Sequence, residues 1–155
     1  MNLECFSDST SNAIGNPNLV ATGGTITTCG NCKIHTFTGP GTFTVSAAAS
    51  CAADNVVSYL VIAGGGSGGS ADRGGGGGAG GYRELVSPSS PYSGSPLNGY
   101  PNAPNRVTVT ATAFPITVGS GANSNPYPQK GNNGNVSTFS TITSAGGGAG
   151  GSEQD

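Results

Sequence analysis

Cys29-Gly-Asn-Cys32 is the spacing that most directly invites chemistry, because two thiols three positions apart can hold a metal, form a redox couple or close a disulfide. A structural zinc site normally brings a second close pair, whereas Cys5 and Cys51 stand alone in the sequence. A thioredoxin-like couple needs a βαβ setting that the neighbouring residues do not supply. Free thiols and structural disulfides remain. Cross-linking of a weak core is the favoured use of Cys5, Cys29, Cys32 and Cys51, and four cysteines allow three connectivities. His35, the single histidine, sits beside Lys33 with no cysteine or carboxylate at useful spacing, so it is expected to be structural. Asn135-Val-Ser137 is a glycosylation sequon, meaningful only in a glycosylating compartment.

Gly64, Gly66 and Gly69 satisfy G-x-G-x-x-G after an apolar run, with Glu84 near the distance of a ribose-binding acid. The dinucleotide reading fails on context. The phosphates of such a ligand rest on the N-terminus of the following helix, and residues 67–81 are too rich in glycine to form one. A P-loop is excluded because no G-K-[ST] occurs. Nucleophile, base and orienting group are nowhere found together, so no catalytic residue, cofactor or metal is assigned and the chain is read as a non-enzyme.

The composition agrees. Gly 29 and Pro 10 make up about one residue in four of the 155, yet the net charge is only -2, unlike that of most disordered chains. Five Lys and Arg residues cannot neutralise a phosphate backbone, which excludes nucleic acid as a partner. No apolar run approaches the roughly 20 residues of a membrane span. The opening Met1–Asp8 has neither a basic nor an apolar region of a secretory signal.

The elements that must position these groups are short and β-like. Residues 1–24 are polar and punctuated by Gly15-Asn-Pro17 and Gly23-Gly24, which suggests an attachment arm that docks onto another subunit. Runs at 25–28, 33–38 and 41–46 follow, the last two forming a hairpin around Gly39-Pro40-Gly41. The stretch 47–53 could make only a weak helical turn. Val56–Ala63, continuously apolar, reads as the central strand. Arg106–Ala113 alternates, with Val107, Val109, Ala111 and Ala113 on the buried face. Short strands are expected at 116–118 and 136–142, and an irregular proline-rich loop at 88–104.

Two glycine runs, 64–81 and 146–151, each follow a strand. A flexible linker is one reading of them. The alternative is an ordered layer: glycine segments can adopt an extended threefold helix, and without side chains such helices can lie close and hydrogen-bond backbone to backbone. The residues expected in that layer are Gly64, Gly65, Gly66, Gly74, Gly75, Gly76, Gly77, Gly78, Gly146, Gly147 and Gly148.

The blocks 33–45, 57–66, 74–84, 116–119 and 137–148, in that order, resemble the glycine-rich domain of phage tail-fibre and other virion proteins. The resemblance covers about residues 25–151. It implies an all-β fold, a small β-sandwich-like core whose glycine segments pack as polyglycine II helices, with 152–155 as a tail continuing into further sequence. It also implies a non-enzymatic particle protein, a tail-fibre adhesin or head-decorating component, displayed on the virion surface as a homo-oligomer or repeated assembly among other virion proteins. In such adhesins loops between glycine segments carry host contact. The nearest positions here are Tyr92, Tyr100 and Tyr127, facing a host surface glycan or outer-membrane protein. The alternative expectation is a subunit of a cellular extracellular filament or matrix, assembled through its N-terminal arm.

Overall fold

The structure is a computed structural model that describes residues 1–4, 19–30, 32–90 and 92–153. It is all-β, and no α-helix occurs among the described residues. Among the described residues there are ten strands, β1 Asn2–Glu4, β2 Val20–Thr22, β3 Thr25–Cys29, β4 Cys32–Thr36, β5 Gly41–Ala47, β6 Ser58–Ile62, β7 Tyr82–Leu85, β8 Ala113–Thr117, β9 Ser137–Phe139 and β10 Ile142–Ser144. They form two five-stranded sheets, of order β3-β4-β1-β6-β7 and β10-β9-β8-β5-β2. The chain divides into two compact units. Unit 1 comprises Met1–Leu60, Arg83–Ile116 and Phe139–Ile142; unit 2 comprises Val61–Tyr82, Thr117–Thr138 and Thr143–Asp155.

Unit 1 is built around aromatic rings supplied by both sheets. On β5, Phe43 and Val45 are buried while Thr42 and Thr44 turn away, the alternation expected of a strand with one covered face. Phe43, fully buried, meets His35 of β4 edge to face at 5.0 Å, Phe139 of β9 at 6.2 Å and Phe114 of β8 at 6.3 Å. Tyr59 of β6 packs on Phe139 at 6.0 Å. Such tilted and T-shaped pairs add to the burial of the rings themselves. The Tyr59 hydroxyl donates to the Asn105 carbonyl at 2.8 Å, and burial pushes its pKa up to about 12. These contacts place His35 and Tyr59 of one sheet against Phe43 and Phe139 of the other, a sandwich-like core.

Several elements differ from the sequence expectation. The runs 33–38 and 41–46 do not form a hairpin: β4 pairs with β1 and β3, β5 with β2 and β8, in separate sheets. Gly39-Pro40-Gly41 is an arch between sheets, because Phe37 and Phe43 must both be buried. The hairpin lies one turn earlier, β3 to β4, in register from Thr25↔Thr36 to Cys29↔Cys32. Its two-residue connection starts at Gly30, whose φ of 58° suits the left-handed conformation such turns demand. Residues 136–142 are likewise not one strand but the β9–β10 hairpin, turning at Ser140 with φ 52°. No glycine marks that turn in the sequence.

In 106–113 Val107 and Val109 are buried and Thr108 and Thr110 exposed, as the alternation requires, but Ala111 and Ala113 are exposed. A tight turn, Thr112 N–H to the Thr110 carbonyl at 2.7 Å, breaks the run, and regular pairing resumes only in β8. The alanine-rich stretch makes a 3-10 turn at Ala52–Asn55. There the buried Asn55 side chain accepts from Ala49 N–H at 2.8 Å and returns a bond to the Ala49 carbonyl at 3.0 Å.

The described ends of the expected arm belong to the sheets. Residues 2–4 form β1 between β4 and β6, and β2 pairs with β5. Leu19 and Ala21 are core residues. The rest of the 1–24 segment lies outside the described residues.

Candidate functional site: the glycine layer and the tyrosine loops

Unit 2 has almost no side-chain core; its order comes from backbone hydrogen bonds repeating every third residue. Ala63, Gly66 and Gly69 donate to the carbonyls of Gly81, Gly78 and Gly75 at 3.0, 2.9 and 2.9 Å. One residue on, Gly64, Ser67 and Ser70 donate to Asn135, Asn132 and Gln129 at 3.0, 3.0 and 2.8 Å. Gly75, Gly78 and Gly81 donate to Gly151, Gly148 and Ala145 at 2.9, 2.8 and 2.7 Å. Gly131 and Gly134 donate to Gly150 and Gly147, both at 2.8 Å. All these pairs run antiparallel. Gly147 and Gly150 donate to Gly64 and Ser67 in a parallel pairing, both at 2.9 Å. A segment that bonds a different neighbour at each step of three is a threefold extended helix, the polyproline II geometry.

The same period decides where a side chain fits. A Cβ on Gly74, Gly77 or Gly80 would run into the carbonyls of Gly69, Gly66 and Ala63; Gly75 and Gly78 face the 145–151 segment at 3.3 and 3.1 Å; Gly76 has nothing within 4 Å. The next position on that open edge, 79, is alanine, and the one before it, 73, is arginine. Gly147 and Gly150 are buried against Gly66 and Gly69, whose nitrogens would stand 2.7 Å from an added Cβ, whereas Gly148 and Gly151 are open. Gly64 is closed by the Ser120 carbonyl and Gly146 by that of Gly134, while Gly65 comes no nearer than 3.6 Å, to Gly78 O.

The sequence reading of the layer omitted two of its segments, 119–122 and 129–135. Ala122 donates to the Gly65 carbonyl at 2.9 Å and Asn135 to that of Ser120 at 3.1 Å. A signal was present in the spacing of three of Gly131 and Gly134, hidden by the asparagines between them. Polar side chains inside the layer replace backbone partners. Ser67 Oγ accepts from Asn132 N–H at 2.9 Å, and Ser70 Oγ donates to the Pro126 carbonyl at 2.7 Å. The sequon is part of this framework: buried Ser137 Oγ donates to the Ile62 carbonyl and accepts from Gly119 N–H, at 2.8 and 2.9 Å.

The three tyrosines fall in two loops. In unit 1, Tyr92 and Tyr100 line one open cavity of ≈ 530 Å³ together with Ser87, Ser90, Ser93 and Asn98. The proline-rich loop is fixed by its own polar residues. The Asn98 amide oxygen accepts from Val86 and Tyr100 N–H at 2.9 and 3.1 Å. The Glu84 carboxylate accepts from Ser95 N–H, at 3.1 Å to one oxygen, and from the Ser95 hydroxyl. The Arg106 guanidinium lies over the Tyr100 ring at 4.3 Å and donates to the Tyr100 carbonyl at 2.9 Å. In unit 2, Tyr127 is 65% exposed on a loop clasped by the Asn125 and Asn132 amides, 2.7 Å apart, and its bond to Pro128 is cis.

Cys32 is disulfide-bonded, whereas Cys29 and Cys51 are free and exposed. The expected cross-linking therefore does not extend to those two, and Cys5 lies outside the described residues. His35 is fully buried in the core, with Nδ1 2.8 Å from the Gly23 carbonyl, and burial holds its pKa below the usual imidazole range. No group of three metal-ligating side chains occurs among the described residues, and no helix is long and apolar enough to cross a membrane.

Two sheets closing on aromatic rings, in one chain with glycine segments that pair every third residue, define an all-β glycine-rich architecture. Residues 36–155 match the family described as Glycine-rich domain, and the chain belongs to that family. No curated protein and no solved structure matches it.

Proposed function

We propose that this protein is a non-enzymatic virion structural protein, a tail-fibre adhesin or head-decorating component exposed on the particle, which assembles with copies of itself and other virion proteins. The observation that carries this reading is the glycine layer. It orders the glycine segments of unit 2 with scarcely a reactive side chain, an expensive way to use chain entropy unless a rigid surface is the product. The Tyr92–Tyr100 cavity supports a host-facing role. Its neutral hydroxyls, amide and rings offer hydrogen bonds and stacking without charge, which suits a surface glycan better than an ionic ligand. Tyr127 is a second exposed aromatic for host contact, with an outer-membrane protein as the other class of receptor.

A second reading, a subunit of an extracellular filament or matrix, is favoured by β1. A three-residue strand inside a sheet, parted from β2 by residues 5–19, is an element that a neighbouring copy can supply. Negative-stain electron microscopy of native material, labelled with antibodies to the purified chain, separates the two. Label on phage particles, with only small closed oligomers of the purified chain by light scattering, supports the virion reading. Open filaments formed by the purified chain alone overturn it in favour of the second.

A further inference from the structure

The sheet β3-β4-β1-β6-β7 has two edges, and the chain treats them differently. At β7 the proline-rich loop closes the edge: Asn98 bridges Glu84 in parallel, and Gly99 N–H donates to the Glu84 carbonyl at 2.9 Å. At β3 no such cover occurs among the described residues, and every residue of Thr25–Cys29 is exposed. The register says which backbone groups are left over. Phe37 N–H donates to the Met1 carbonyl and the Met1 nitrogen to the Phe37 carbonyl, both at 2.8 Å, so the odd-numbered residues of β4 bond β1 and the even-numbered ones bond β3. Their partners in β3 are Thr25, Thr27 and Cys29. The N–H and C=O groups of Ile26 and Thr28 therefore point away from the sheet.

An open strand edge is a template for another strand. Edges that must stay single carry lysine, proline or a bulge, and Thr25-Ile-Thr-Thr-Cys29 has none of these. We infer that a second copy of this chain docks here, β3 against β3, antiparallel about a two-fold axis at Thr27. In that register Ile26 and Thr28 of one copy exchange backbone bonds with Thr28 and Ile26 of the other, and Thr27 faces Thr27 at about 4.5 Å between Cα atoms. The strand suits its own copy. It bears no charged side chain, so two copies meet there without repulsion. Ile26, 45% exposed and the strand's one large apolar side chain, lies diagonal to its counterpart on the same face, about 7–8 Å away, so the two shield each other. Both edges are used up, so the pairing closes as a dimer and does not propagate. One strand edge buries less than the roughly 1,200 Å² of a stable interface, so the dimer is weak alone and forms where copies are crowded. The inference rests on the self-assembly proposed above and gives it a surface.

Sedimentation equilibrium of the purified full chain up to about 1 mM, paired with amide hydrogen exchange, tests it. The expected result is a reversible monomer–dimer equilibrium in which the Ile26 and Thr28 amides slow as the dimer fraction rises, while Thr27, already bonded to β4, changes little. Thr27→Lys and Thr27→Glu each set like charges opposite one another and should weaken the dimer about tenfold or more. An equal mixture of the two variants should restore it. Thr27 is exposed, so both variants should keep the circular dichroism of the parent. A chain that stays monomeric over the whole range overturns the proposal, as does a dimer indifferent to both variants or a mixture that associates no better than either alone. Ile26 and Thr28 amides protected already in the monomer, or protected only in native particles, would assign the edge to another occupant and overturn it too. A monomeric chain strikes this interface alone, because antibody label on phage particles does not depend on it.

Discussion

Unit 1 is the larger of the two units, and they are held together by opposite means. In unit 1 the rings of Phe43, Phe114, Phe139 and Tyr59 and the imidazole of His35 fill the space between strands, and the backbone follows wherever those side chains can be buried. In unit 2 side chains are absent from most contacts, and the backbone is itself the packing surface. An aromatic core tolerates irregular chain paths, such as the broken run at 106–113, because burial is not directional. A hydrogen-bonded layer tolerates side chains only on one edge in three, because a single Cβ in the wrong place separates two backbones.

The largest expected effect breaks the first half of this contrast. Phe43→Ala removes the ring at the centre of the cluster and should cost about 3–5 kcal/mol by denaturant unfolding. Next comes the layer. Gly77→Ala places a methyl against the Gly66 carbonyl and should cost about 2 kcal/mol or more, with loss of amide protection in 64–81. A loss confined to unit 1 would show that the layer does not depend on close approach at that position.

Acid sharpens the contrast through the buried histidine of unit 1. His35 is buried with a depressed pKa, so the unfolded chain takes up a proton that the folded chain refuses. The stability this contributes is present above the ordinary imidazole value of 6.5 and is lost as pH falls through the depressed one, by at most about 1.4 kcal/mol per pH unit. Thermal melts should therefore shift downward between pH 7 and pH 5, and His35→Phe should flatten that slope. The smallest effect expected is that of Gly76→Ala. Its methyl points into open space, and stability should stay within about 0.5 kcal/mol of the parent, or rise slightly as the unfolded chain loses freedom.

How far these features were legible in the sequence follows from the same contrast. Val107 and Val109 announce a buried face by alternation, because side chains do the packing there; in Val56–Ala63, read as a central strand covered on both faces, Val57, Tyr59 and Val61 are buried but Ile62 is exposed. The partner of each strand is not written locally. Gly39-Pro40-Gly41 has the chemistry of a hairpin turn and serves as an arch, since the choice depends on where Phe37 and Phe43 find cover. Gly30 closes the real hairpin between two cysteines that drew attention for other reasons. In the layer, the glycine runs were readable as a candidate polyglycine stack. Its contributions from 119–122 and 129–135 were not, because serine and asparagine at the permitted positions mask the period. Tyr92 and Tyr100 could be picked out as loop aromatics, but their shared cavity depends on how Asn98 and Glu84 fold the proline loop back.

The most direct test of the ordered layer is residue-resolved amide hydrogen exchange by NMR on the intact chain. The account predicts slow exchange at Gly66, Gly69, Gly75, Gly78, Gly147 and Gly150, whose N–H groups are bonded, and fast exchange at Gly76, Ala79 and Gly148 on the open edges. Uniformly fast exchange through 64–81 and 146–151 would contradict it and return the glycine runs to the status of linkers.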